Sequence, residues 1–138
     1  DLEKAKNTFL HAVSSSGYAS ESGAEAIGRA LGLIDPNAGI AFFNQLPVRS
    51  AAAAAGREAV AISWAAVDFS AARKCVAKWD DEDRNEVVSR MMEALPEHCV
   101  ELWRMLSDDA MENEARWYCV IRAFAACGAA GATDNCCN

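Results

Sequence analysis

The chain has 138 residues, which is the length of one ordinary globular domain. Hydrophobic residues make up 52% of the sequence and charged residues 24%, a balance that excludes a disordered chain. The formal net charge of −7 argues against binding to nucleic-acid phosphates. No apolar run approaches the roughly 20 residues of a membrane span, so we expect a soluble protein.

The first part of the chain predicts two helices. Apolar residues recur at helical spacing from Leu2 to Val13, and Gly17 ends this first helix. Ser22 followed by Glu25 has the spacing of a capping box, which opens the second helix. Asp35-Pro36 ends that helix and opens a third, because aspartate is a good N-cap and proline fits the first helical position.

The middle of the chain continues with short breaks between helices. Pro47 ends the third helix, and Ser50 can cap a long alanine-rich one. Asp68 repeats the cap of Asp35, and the acidic run Asp80–Asp83 favours another helix N-terminus. Leu95-Pro96 makes a further break.

The last predicted helix begins at Ser107-Asp108-Asp109 and carries an apolar stripe that ends at Phe124. Gly128 and Gly131 follow it. The sequence therefore predicts an all-α fold of about eight helices with no strand.

An internal repeat organises these helices. Glu25-Ala26-Ile27 aligns with Glu58-Ala59-Val60, and these three residues align in turn with Glu86-Val87-Val88. Each unit reads as a helix, a corner marked by Asp or Pro, and a second helix. One helical hairpin cannot bury its own apolar stripe, so we expect stacked antiparallel hairpins that form a short solenoid. This predicts a single domain, with a capping helix at 1–17, repeats at 22–127 and a cysteine-containing tail at 129–138.

The corner motifs resemble a known repeat. Asp35-Pro36-x-Ala38 through Leu46-Pro47, followed by Trp64-Ala65-x-x-Asp68, is similar to the Asp-Pro-x-x-Ala…Trp-Ala-x-x-Asp repeats of planctomycete and verrucomicrobial proteins. More generally, the pattern resembles tetratricopeptide-like and HEAT-like helical hairpins. The resemblance implies a scaffold that presents a concave surface to a partner, and it supplies no catalytic residues.

The six cysteines leave two interpretations open. Buried thiols fit the cysteines that fall within predicted helices, whereas their even number and the vicinal pair near the C-terminus fit disulfides. Without a Cys-x-x-Cys motif, we predict no metal site. The chain starts at Asp1 without a methionine, which indicates a removed leader or a fragment and favours an extracytoplasmic location. The cysteines that can form disulfides are Cys119, Cys127, Cys136 and Cys137.

No residue pattern predicts catalysis or a cofactor. His98 and Cys99 are adjacent, and neighbouring side chains on a helix point about 100° apart, so the pair does not form a nucleophile–base dyad. Asp80–Asp83 lacks the ligand spacing of a calcium loop. Gly28 and Gly32 are interpreted as close-packing positions between helices.

These features favour a non-catalytic protein-interaction or assembly module, whose partner is a protein with a basic surface or a larger complex. The candidate contact residues combine aromatic rings with acidic loops. They are Phe42, Phe43, Trp79, Trp103, Asp80 and Asp81.

Two alternatives remain at this point. One is a secreted, disulfide-stabilised helical protein with an inhibitory, toxin-like or structural role. The other is a small-molecule carrier with an apolar pocket between helices. The residues proposed to line that pocket are Met91, Met92, Met105 and Phe124.

Overall fold

The computed structural model describes residues 1–16, 20–46, 50–107, 121–122 and 124–125. These residues contain no strand, which confirms the all-α prediction. The helices are α1 (Leu2–Ser16), α2 (Glu21–Ile34), α3 (Pro36–Asn44), α4 (Ala51–Val67), α5 (Phe69–Val76), α6 (Asp81–Ala94) and α7 (Cys99–Trp103), and a 3-10 turn (Pro96–His98) precedes α7. The described count is seven rather than about eight, because most of the predicted last helix falls on residues 108–120, outside the described ranges.

The chain divides into two compact units, unit 1 (Asp1–Ala72) and unit 2 (Arg73–Asn138). The predicted capping helix at 1–17 corresponds to α1, whereas the cysteine-containing tail at 129–138 lies outside the described residues. No helix in the described part of the chain is both long and apolar enough to cross a bilayer.

Two of the predicted N-caps form as expected. The Ser50 hydroxyl accepts a hydrogen bond from the Ala53 amide at 3.3 Å, and the Asp80 carboxylate accepts one from the Asp83 amide at 3.0 Å. Each bond satisfies a backbone donor that the first helical turn leaves without an intrahelical partner. The local sequence is therefore enough to place the starts of α4 and α6.

The predicted capping box at Ser22 is wrong. The N-cap of α2 is Ser20, whose hydroxyl accepts from the Gly23 amide at 3.2 Å. Ser22 lies inside the helix, with its Oγ 3.0 Å from Ser20 Oγ, and Glu25 points toward Arg29 at 3.6 Å. Both serines satisfy the preference for small polar N-caps, and the helix uses the earlier of the two.

Three one-residue corners share one backbone conformation. Asp35, Asp68 and Leu95 have φ/ψ values of −152/84°, −140/83° and −130/65°. Each donates its N–H to the carbonyl four residues earlier, at 2.8, 2.7 and 2.8 Å. Each aspartate also accepts from the amide three residues later at 3.0 Å, whereas Leu95 has no side-chain cap. The third corner therefore lies at Leu95, one residue before Pro96, which is the residue that the internal repeat aligns with Asp68.

Replacing the corner carboxylate tests this role of the side chain. We expect Asp68→Ala to lower the free energy of unfolding by about 1 kcal/mol, because α5 loses its N-cap. Asp68→Asn retains an acceptor oxygen and is expected to change it by less than about 0.5 kcal/mol. Urea denaturation followed by circular dichroism measures both, and equal losses for the two variants would contradict the capping role.

Helices α2 and α4 pack with their backbones in close contact. A Cβ at Gly28 would overlap the carbonyl oxygen of Gly56, and one at Gly32 would lie 2.5 Å from the carbonyl oxygen of Val60. The prediction that these two glycines are close-packing positions is confirmed. Because residue numbers rise together along both helices, α2 and α4 run parallel.

Helix α3 packs against both α2 and α4. A Cβ at Gly39 would lie 2.9 Å from Leu31 Cβ on α2 and 3.0 Å from Val60 Cγ2 on α4. Leu31 and Gly39 are equally far in sequence from the corner at Asp35, as expected for two antiparallel helices. Unit 1 therefore contains the antiparallel pair α2–α3, followed by α4 parallel to α2.

Candidate partner-binding site

Two of the predicted contact residues are core residues. Phe42 and Phe43 are 6% and 0% exposed, and their rings meet edge to face with centroids 5.0 Å apart. Phe9 of α1 joins them, with centroid distances of 6.3 and 6.4 Å. Because the apolar face of α3 packs inside unit 1, neither phenylalanine offers its ring to a partner in this structure.

The other four predicted residues lie in unit 2. Trp79 is half-buried in the segment before α6, and Asp80 and Asp81 are exposed at the start of that helix. Trp103 is half-buried at the end of α7, where its ring lies edge to face with Phe124 at 5.7 Å.

Arg84 ties these two places together. Its Nε donates to the Met105 carbonyl at 3.2 Å, and its Nη1 donates to the Trp79 carbonyl at 3.3 Å. Its Nη2 lies 2.6 Å from Asp81 Oδ1. The Arg84 side chain is only 18% exposed, so water competes poorly for its two bonds to backbone carbonyls. One guanidinium thus connects the segment before α6 to the turn after α7.

Asn85 makes a second connection beside it. Its amide Nδ2 donates to Ser107 Oγ at 2.6 Å, and its Oδ1 accepts from the Ser107 backbone N–H at 3.1 Å. Asn85 is 2% exposed, and Ser89 Oγ donates to its backbone carbonyl at 2.8 Å. The turn after α7 is therefore held against the start of α6 by two neighbouring side chains of α6.

We call the resulting surface the acidic end of unit 2, defined by the segment Trp79–Glu82 and the turn Met105–Ser107. It combines a half-buried indole with three exposed carboxylates, those of Asp80, Asp81 and Glu82. The Asp81 side chain is 71% exposed even though it pairs with Arg84. An indole next to exposed acids offers two kinds of contact to a basic segment, since arginine and lysine interact both with carboxylates and with aromatic faces.

Arg84 and Asn85 are not among the contact residues predicted from the sequence. The spacing of Asp81 and Arg84, three residues apart on a helix, is a readable signal for an ion pair. No comparable signal exists for Asn85, because its partner Ser107 lies 22 positions away. Ser107 was predicted as a helix cap from its local context alone.

His98 and Cys99 lie where the 3-10 turn meets α7. His98 Nδ1 lies 3.6 Å from Glu101 Oε1, while Cys99 is a buried thiol. Cys75 is a half-buried thiol, and the four cysteines predicted to form disulfides fall outside the described residues. Among the residues that the structure describes, no group of three or more His, Cys, Asp or Glu side chains could hold a metal ion.

The predicted carrier pocket does not coincide with the groove seen in unit 1. Met91 and Met92 are fully buried in α6, whereas Met105 is half-buried and Phe124 is exposed. The groove lies between α1 and α2 and has a volume of about 570 Å³.

Comparison with protein-family models, curated proteins and solved structures finds no match to this chain. Its function is therefore inferred from its own residues and their geometry.

Proposed function

We propose that this chain is a non-catalytic protein-interaction or assembly module made of stacked helical hairpins. In this proposal, the acidic end of unit 2 binds a basic segment of a partner protein. The observation that carries the binding site is the set of Arg84 bonds, which join the Trp79 carbonyl and the Asp81 carboxylate to the turn after α7.

Two features of the backbone support the stacked hairpins. The corners at Asp35, Asp68 and Leu95 share one conformation and recur at similar intervals along the chain. In unit 1, α2 and α4 run parallel and α3 is antiparallel to α2, which is how the first helices of two successive hairpins stack. A repeated hairpin buries apolar surface only by stacking on its neighbour, and such arrays present extended surfaces for binding.

The composition of the acidic end supports a basic partner. Exposed carboxylates attract cationic side chains and speed their association, and a half-buried aromatic ring supplies apolar contact area at a small entropic cost. Because Arg84 and Asn85 already order this end of unit 2, binding does not have to order it. The same electrostatics make the interaction weaken as salt concentration rises.

A charge reversal in the first turn of α6 tests the site. With a labelled arginine-rich peptide as the probe, we expect Glu82→Lys to weaken binding about fivefold, equivalent to the loss of one or two exposed ion pairs. Fluorescence anisotropy at low and high salt measures the affinity, which should fall as salt is added.

Glu21→Lys is the matched control. Glu21 is exposed in the first turn of α2, so its reversal changes the net charge and the helix dipole interaction in the same way. We expect less than a twofold effect from this variant. Equal weakening by both substitutions would mean that only net charge matters, and it would remove the acidic end as the binding site.

A further inference from the structure

The groove in unit 1 runs between α1 and α2. Six of its ten lining residues are apolar or glycine, and the other four are Asp1, Lys4, Thr8 and Ser20. The six are Ala5, Phe9, Ala12, Gly23, Ala26 and Ile27. Most of these side chains are small, so the groove can accept another helix at short distance, and the internal repeat indicates what kind of helix fits.

The α2 wall of the groove is equivalent to a surface that is already occupied elsewhere in unit 1. The alignment that places the corner Asp35 on the corner Asp68 also carries the α2 wall onto α4. Gly23, Ala26 and Ile27 thereby superimpose in sequence on Gly56, Ala59 and Val60. Gly28 and Gly32 of α2 pack against those three α4 residues.

The α1 wall is equivalent to α3. The Asp1 carboxylate accepts from the amides of Glu3 and Lys4 at 3.0 and 3.4 Å, as Asp35 accepts from the amide three residues later. An alignment that places Asp1 on Asp35 also carries Ala5, Phe9 and Ala12 onto Gly39, Phe43 and Leu46. All three of these residues are buried, two of them in α3 and Leu46 in the turn that follows it.

A ring contact supports the same correspondence. The Phe43 ring occupies the place that a Cβ at Gly56 would need, and the Phe9 ring lies 3.9 Å from the Cβ position at Gly23. Two aromatic–glycine pairs thus join α3 to α4 and α1 to α2. The two walls of the groove between α1 and α2 are therefore equivalent to the surfaces of α3 and α4 that hold α2. No helix of the described chain occupies the groove.

We propose that this groove is a docking site for a helix of a partner protein. The partner helix lies parallel to α2 and places small residues four positions apart against Gly23, Ala26 and Ile27, as α2 places Gly28 and Gly32 toward α4. Helix α2 covers the equivalent face of α4, so it shows what kind of helix fits the groove. The inference uses the hairpin equivalence of the proposed function but not the acidic end, and its contacts are mainly apolar.

The experiment uses the full chain and a helix-stabilised, fluorescein-labelled peptide with the sequence Glu21–Ile34. We expect saturable binding by fluorescence anisotropy, with less than a twofold change in affinity between low and high salt. Ala26→Arg in the chain should weaken binding at least tenfold, because the exposed Ala26 lines the groove. Peptides that carry Gly28→Leu or Gly32→Leu should also lose at least tenfold.

Two further variants make the result decisive. Ala41→Arg changes an exposed alanine of α3 outside the groove and should leave the affinity within twofold. Thr8→Arg blocks the groove from the α1 wall and should act like Ala26→Arg, so the test does not depend on one variant folding. Failure of the peptide to bind, or binding that neither groove variant weakens, would overturn the proposal.

Two outcomes separate this proposal from others. If the chain alone forms dimers that Ala26→Arg abolishes, the occupant is a second copy and the partner-helix assignment is wrong. Glu82→Lys should leave the helical peptide's affinity unchanged, and Ala26→Arg should leave that of the arginine-rich peptide unchanged. Loss of both activities with either variant would contradict two separate surfaces.

Discussion

Gly28→Ala is expected to lower the free energy of unfolding by about 2 kcal/mol, although alanine favours helix over glycine by about 1 kcal/mol. The added Cβ would overlap the Gly56 carbonyl oxygen and would lie 2.9 Å from Ala59 Cβ. A backbone oxygen cannot rotate away as a flexible side chain can, so α2 and α4 must separate. Urea denaturation followed by circular dichroism measures the loss.

Gly23→Ala is the matched control on the same helix. The Cβ position at Gly23 has its nearest neighbours at 3.6, 3.7 and 3.9 Å, which are ordinary van der Waals distances. We therefore expect a gain of about 0.5–1 kcal/mol, because alanine loses less conformational entropy on folding. If Gly28→Ala were stabilising like Gly23→Ala, the close contact between α2 and α4 would be contradicted.

The second large effect is expected at Asn85. Asn85→Ala should lower the free energy of unfolding by about 3 kcal/mol, because it removes two hydrogen bonds and leaves the Ser107 N–H without its acceptor. The residue is nearly fully buried, so water cannot replace the lost amide. Denaturation gives the magnitude, and faster hydrogen exchange at the Ser107 amide would locate the loss at the turn after α7.

Asn44→Ala controls for the same change of side chain in an exposed place. Asn44 accepts from Arg57 Nη1 at 3.3 Å on the surface of unit 1, and we expect its removal to change stability by less than about 0.5 kcal/mol. A loss at Asn85 no larger than that at Asn44 would contradict the structural role of the bonds to Ser107.

Local features of the fold were predictable from the chain. Helix starts at Ser50 and Asp80 and the corners at Asp35 and Asp68 depend on residues within one turn of each other, so short sequence patterns are sufficient. The choice between Ser20 and Ser22 shows the limit of such patterns, because both serines meet the local requirements. The third corner was misplaced by one residue. Pro96 marks the break in the sequence, but Leu95 adopts the corner conformation.

The candidate site was only partly predictable. Trp79, Asp80 and Asp81 are predictable as candidates because an aromatic residue beside an acidic run stands out in any chain. Phe42 and Phe43 are core residues instead, and periodicity alone does not show how many sides of α3 are covered. Arg84 escaped notice because its role depends on the Met105 carbonyl, 21 positions away.

Residue order along the chain sets the helices, their caps and the one-residue corners, because the interactions behind them span a few positions. Tertiary structure decides which face of α3 is buried, where the turn after α7 meets α6, and that a groove lies between α1 and α2. These features depend on contacts between residues more than ten positions apart, whose distances are set only when the helices pack together.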